Sequence, residues 1–192
     1  MGEKIITVFG SSRPEPGDAD YEEAYALGKA LGERGFAVCS GGYGGVMEAA
    51  SRGAKEAGAK TYGVSAEFFT RTANRWVDVE IQKKTWDERL FVLVEMGDGF
   101  VVCKGGTGTL VELAVVWEML NKRVMREKPM VVLGDFWTPI LERVREVEQE
   151  SRPSSEQPKW GEAKRKLVYG AASAQEAAAF LERELKGLKV QG

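Results

Sequence analysis

Gly99-Phe100-Val101-Val102-Cys103-Lys104-Gly105-Gly106-Thr107-Gly108-Thr109-Leu110-Val111-Glu112 reads as an apolar strand, a glycine turn and the opening of a helix. A short run with no polar face suits a strand buried on both sides, as in a parallel sheet covered by helices. The same sentence is spoken earlier in the chain. Gly35-Phe36-Ala37-Val38-Cys39-Ser40-Gly41-Gly42-Tyr43-Gly44-Gly45-Val46-Met47-Glu48 again gives strand, glycine turn, helix, with an acid in the first helical turns. We read this as one physical solution used twice, not as a tandem repeat. Outward from these two stretches, short apolar runs predict strands over 5–9, 36–39, 60–64, 77–81, 100–103, 129–133 and 167–169. Between them, helical spacing (Tyr21, Ala24, Leu27, Leu31) predicts a first helix, and others over 46–57, 85–95, 110–120, 139–148 and 174–185. Strand and helix in alternation predict an α/β fold: a doubly wound, mainly parallel sheet with helices on both faces. Residues 1–192 are expected to form a single nucleotide-binding domain. Its polar loop covers 150–160, around Ser151-Arg152-Pro153-Ser154-Ser155-Glu156-Gln157-Pro158, and 161–192 supply a last strand and helix.

Composition narrows the chemistry. The 192 residues are 43% hydrophobic and 29% charged, enough for one sizeable core. A formal net charge of -2 gives no global pull toward nucleic acid or anionic membrane, and the longest basic run, Lys164-Arg165-Lys166, reads as a solvated face. There is no histidine, which excludes a Ser-His-Asp triad, a Cys-His pair and any His-ligated metal site. The two cysteines, Cys39 and Cys103, form no CxxC and no metal cluster, and their apolar surroundings predict small buried residues. No metal and no cofactor is expected. No signal peptide or membrane-spanning run is visible, so the expected compartment is the cytoplasm.

In a doubly wound sheet the ligand lies beyond the carboxyl ends of the strands, so the loops there carry the function. Glycine lets main-chain N–H groups approach an anion, and the helix behind adds unpaired amides and the positive end of its dipole. Thr107 and Thr109 add hydroxyls. The alternative is a tight turn with no ligand. The Walker A pattern is absent, and Gly106-Thr107-Gly108 lacks the third glycine of a dinucleotide fingerprint, so one phosphate of a mononucleotide fits better than a dinucleotide. Glu112 has two open readings. Thr109-Leu110-Val111-Glu112 matches a capping box, and the acid could equally face the anion cleft. Arg89, in Thr85-Trp86-Asp87-Glu88-Arg89-Leu90, reads locally as a surface arginine paired with Asp87 or Glu88.

Lys104-Gly105-Gly106-Thr107-Gly108-Thr109-Leu110-Val111-Glu112 resembles the P-G-G-x-G-T-x-x-E signature of the LOG (Lonely Guy) family, long labelled "possible lysine decarboxylase". Phe9-Gly10-Ser11-Ser12 and Gly41-Gly42-Tyr43-Gly44-Gly45-Val46-Met47-Glu48-Ala49-Ala50 extend the likeness, and Asp98 and Arg89 fall where the family has an acid and an arginine. The resemblance implies a Rossmann-like fold in a homodimer or higher oligomer. It also implies hydrolysis of the N-glycosidic bond of a nucleoside 5'-monophosphate, AMP or cytokinin-type, to free base and ribose 5-phosphate. By position it makes Arg89 and Glu112 the catalytic pair, and Gly10, Ser11, Gly42, Gly45, Gly105, Gly106, Thr107, Gly108 and Thr109 the nucleotide and phosphate site. Lys104 stands in place of the signature's proline and Leu90 in place of a common lysine. These departures favour the alternative, a non-catalytic carrier of a nucleotide or of molybdenum cofactor.

Overall fold

The computed structural model describes residues 2–69, 72–150 and 167–187, with backbone only for 148–150. The polar segment 151–158 and the run Lys164-Arg165-Lys166 lie outside the described residues. Seven strands, β1 (Ile5–Phe9), β2 (Ala37–Ser40), β3 (Thr61–Ala66), β4 (Val79–Lys83), β5 (Gly99–Val102), β6 (Met130–Leu133) and β7 (Val168–Ala171), form one sheet in the order β4-β3-β2-β1-β5-β6-β7. Every pairing is parallel. The order runs outward in opposite directions from β1 and β5, so the topological switch point lies between these two strands.

Alternation along the central strands builds two cores. Ile6, Val8, Val101 and Val131 point into a layer closed by α1 (Ala19–Glu33), α2 (Val46–Glu56) and α6 (Ala174–Gly187). Phe9, Phe100, Val102 and Val132 point the other way, under α3 (Trp86–Met96), α4 (Thr107–Asn121) and α5 (Thr138–Glu150). Both faces of the inner strands are therefore buried, which is why their sequences carry no polar alternation. Cys39 and Cys103 sit in these two layers as free thiols, and burial pushes both pKa values up.

Two elements differ from expectation. The fourth strand starts two residues late because Asp78 anchors the turn before it: its Oδ2 accepts from the amide and hydroxyl of Thr61, and Lys55 reaches its Oδ1 at 2.6 Å. More consequentially, α4 begins at Thr107, three residues before the apolar run. The Leu110 amide donates to Gly106 O at 3.0 Å, so Gly106 is the N-cap and the glycine turn is itself the first helical turn. Thr109 therefore cannot cap, and α4 has no side-chain cap. That removes the capping-box reading of Glu112. A complete capping box occurs instead on α3, between Thr85 and Glu88.

Candidate functional site

A cleft of about 840 Å³ opens over the carboxyl ends of β1 and β5, at the switch point. Its floor is the loop after β5. In an α-helix the first amides have no intrahelical acceptor. Among the described residues, no atom accepts a hydrogen bond from the amides of residues 105–109. Gly105 allows this turn to close: a Cβ there would collide with the side chain of Thr109, which is 4% exposed and packed against it. Gly106 and Gly108 face open space. Ser11 forms the opposite lip. Its amide donates to Lys104 O at 3.1 Å and its carbonyl accepts from the Val46 amide at 2.8 Å, which pins the two loops and the start of α2 together. Gly10, too, lines the cleft, with its α-carbon against the Val46 side chain.

Glu112 and Arg89 both line this cleft, from different helices. The carboxylate Oε1 lies 3.8 Å from Arg89 Nη1, with side-chain exposures of 14% and 8%. Burial pushes the Glu112 pKa up to about 7, and the Arg89 charge opposes but does not cancel the rise. A carboxyl that titrates near neutrality can hold or release a proton at working pH. Arg89 is not the surface residue its neighbours suggest. Its Nε donates to Val64 O at 2.8 Å, which ties the first turn of α3 to β3. The guanidinium sits 5.6 Å from the Tyr43 ring and 5.7 Å from the Phe69 ring, inside cation–π range. Tyr43 is held in turn by its hydroxyl, which accepts from the Ala66 amide at 3.0 Å.

The second glycine loop does something else. At Gly41 a Cβ would overlap Arg89 Nη2, so this glycine makes the arginine's seat. Gly42 turns with φ 76°, and its carbonyl accepts from the Asn74 amide at 2.7 Å and side chain at 3.0 Å. Gly45 is the N-cap of α2 with φ 67°, its α-carbon against the backbone of Ser11 and Ser12. Gly42 and Gly45, expected beside the ligand, lie outside the cleft wall, and Thr107 and Gly108 are on it. Asp98 is at the amino end of β5, opposite the cleft, bound to Lys4 and Arg126 at 2.8 Å each, and does not line the cleft.

Sequence reasoning passed over the aromatic wall formed by Tyr43, Phe69, Trp86 and Phe136. Phe69 belongs to a 3-10 turn, Glu67–Phe69, directly after β3, and Phe136 follows β6. All four aromatics follow strand ends, so the rule that singled out the glycine loops could have found them. Among the described residues no group of His, Cys, Asp or Glu is arranged to hold a metal ion, and no helix is long and apolar enough to cross a membrane.

A parallel sheet with this switch point, a glycine turn opening a helix, and an arginine–glutamate pair beside it define a Rossmann-like α/β protein of the LOG type. The chain belongs to the SLOG cluster4 family, whose model matches residues 3–159. It is 34% identical, over 71% of its length and 73% of the relative's, to a cytokinin riboside 5'-monophosphate phosphoribohydrolase of Mycobacterium marinum. It is 33% identical to an uncharacterized protein of Archaeoglobus fulgidus, over 67% of this chain and 82% of that one. Among solved structures, the molybdenum cofactor binding protein of Rippkaea orientalis superposes with a TM-score of 0.75 at 26% identity, over 96% of this chain and 99% of that one.

Proposed function

We propose that the chain is a nucleoside 5'-monophosphate N-glycosidase, releasing free base and ribose 5-phosphate. The observation that carries this reading is the meeting of Glu112 with Arg89 in the cleft lined by residues 105–109, whose amides have no acceptor among the described residues. The amides bind the 5'-phosphate, and the ribose extends from there toward Glu112. Cleavage of the bond from C1' to the base nitrogen leaves an oxocarbenium-like centre, which a carboxylate stabilises. Water adds at C1' and gives a proton to Glu112, which returns it to solvent, while the departing base nitrogen takes a proton from solvent water. Arg89, held by Val64 O and packed beside the Tyr43 and Phe69 rings, orients that carboxylate. Phosphate binding remote from the bond holds the ribose in place and lowers the barrier. Trp86 and Phe136 offer flat apolar faces for the base. The name of the Mycobacterium marinum relative supports this reading.

A second reading has its own support. The Rippkaea orientalis molybdenum cofactor binding protein matches 96% of the chain, where the match to the hydrolase relative spans 71%. The same cleft would then carry a phosphorylated pterin cargo without turnover. Incubation with a panel of nucleoside monophosphates, followed by chromatography for free base, separates the two. Base release supports the enzyme; no release, with molybdenum retained by the purified chain, supports the carrier.

We further propose a homodimer through α4. Leu113, Val116 and Leu120 are buried against the sheet, but Leu110 is 36% exposed, and Val111, Val115 and Trp117 pack against the core yet stay half-buried on a helix with few charges. A helix apolar nearly all round calls for cover on a second side. Sedimentation of the native chain and of Leu110→Glu tests it; a native monomer refutes it.

A further inference from the structure

Three side-chain cations reach the cleft, and they are not equivalent. Arg89 is buried, bonded to Val64 O and paired with Glu112. Lys104 is paired with Asp20, Nζ to Oδ2, at 2.9 Å. Arg13 is exposed on the loop between β1 and α1 and lines the cleft. Its amide donates to Ser11 Oγ at 3.1 Å, which sets the turn, but among the described residues no carboxylate pairs with its guanidinium. The two acids that line the cleft beside it are engaged: Asp20 with Lys104, and Asp18 Oδ2 with the Glu15 amide at 2.8 Å.

Amides and a helix dipole supply donors and partial charge, but no formal positive charge to match a phosphate dianion. An ionised Glu112 in the same cleft adds to the deficit. A guanidinium offers a planar fork that fits two phosphate oxygens at once, and such bonds are stronger than neutral ones. We propose that Arg13 is the cation that recognises the phosphate, closing from the β1–α1 loop onto the oxygens left exposed by the amides of 105–109. This rests on the phosphate reading given above and adds a selectivity device to it. Arg13 would distinguish phosphorylated from unphosphorylated ligands and take no part in bond breaking.

The substitution is clean, because the main-chain bond to Ser11 survives any residue but proline. Calorimetry on the full chain, with AMP and adenosine as probes, compares the native protein with Arg13→Gln, Arg13→Lys and Gly106→Asp. Arg13→Gln should weaken AMP by about 10- to 100-fold, the scale of a hydrogen bond to a charged group. It should flatten the salt dependence and leave adenosine unchanged; Arg13→Lys should recover part of the loss. If turnover is measurable, KM for AMP rises and kcat holds. Unchanged AMP affinity in Arg13→Gln, with affinity lost in Gly106→Asp, overturns the role of Arg13 and leaves the glycine loop standing. AMP binding that survives Gly106→Asp, or is absent from the native chain, overturns both.

Discussion

The two glycine loops of this chain are near copies in sequence and opposites in structure. After β5, the amides of 105–109 have no acceptor among the described residues and Gly106 faces open space. After β2, Gly42 and Gly45 are folded into internal bonds and close backbone contacts, and Gly41 is pressed against Arg89. One loop presents donors to the cleft and the other seats a side chain that reaches it. A glycine-rich turn between strand and helix therefore does not announce a ligand. What separates the two is whether the neighbouring strand's loop fills the space above it. The loop after β1 bonds to both, through the Ser11 amide and carbonyl, but it leaves the β5 side open.

The contrast can be attacked from the catalytic side first. Glu112→Gln should reduce base release by about 10²-fold or more, the usual scale for loss of a general acid–base group, while AMP affinity measured by calorimetry persists. Native-level release from the variant would remove Glu112 from the chemistry. A tenfold or larger loss is likewise expected for Gly41→Ala, although that residue touches no ligand, because its Cβ would dislodge Arg89. A fall in kcat larger than the change in folded fraction marks this effect, and crystallography should show the arginine displaced.

Stability gives the next test, and here the two loops should answer in opposite ways. Gly45→Ala places a side chain at φ 67° against the backbone of Ser11 and Ser12, and should destabilise by about 1–3 kcal/mol in urea. Gly106→Asp should move stability by no more than about 0.5 kcal/mol, because its Cβ meets nothing and an acid is favourable at an N-cap. Yet it should abolish anion binding. Equal phenotypes for the two would erase the distinction.

How much of this was legible beforehand follows from the same physics. Strand and helix existence came through because both faces of the inner strands are buried, so β5 and β6 read as unbroken apolar runs and β1 and β2 as runs with one small polar residue each. The start of α4 did not, because Thr107-Gly108-Thr109 has poor helix propensity and is held helical by the Leu110 bond to Gly106. Arg89 looked like a surface residue because its partners, Val64 O and Glu112, are 25 and 23 positions away. The aromatic wall was invisible for a similar reason: Tyr43, Phe69, Trp86 and Phe136 come from four separate loops and helix starts.

A pH dependence follows from the raised pKa of Glu112. Its carboxyl is protonated in the folded chain to about pH 7, against 4.5 when free, so the folded state binds the extra proton between those values. Stability should be full below about pH 4.5 and decline as pH rises through 7, by an amount on the order of 3 kcal/mol at most. Glu112→Gln should flatten that slope and melt higher than the native chain at pH 8. A steeper decline in the variant would contradict the assignment. Under the proposed mechanism turnover, by contrast, should rise through pH 7 as the Glu112 carboxylate forms.

The most direct test reads both glycine loops at once, by following the main-chain amide resonances of residues 105–109 and 41–45 during titration with AMP. The amides of 105–109 should shift in a saturable way and those of Gly42, Gly44 and Gly45 should stay nearly still. Shifts centred on 41–45, or none in 105–109 at saturating ligand, would show that the open loop is not where the phosphate binds.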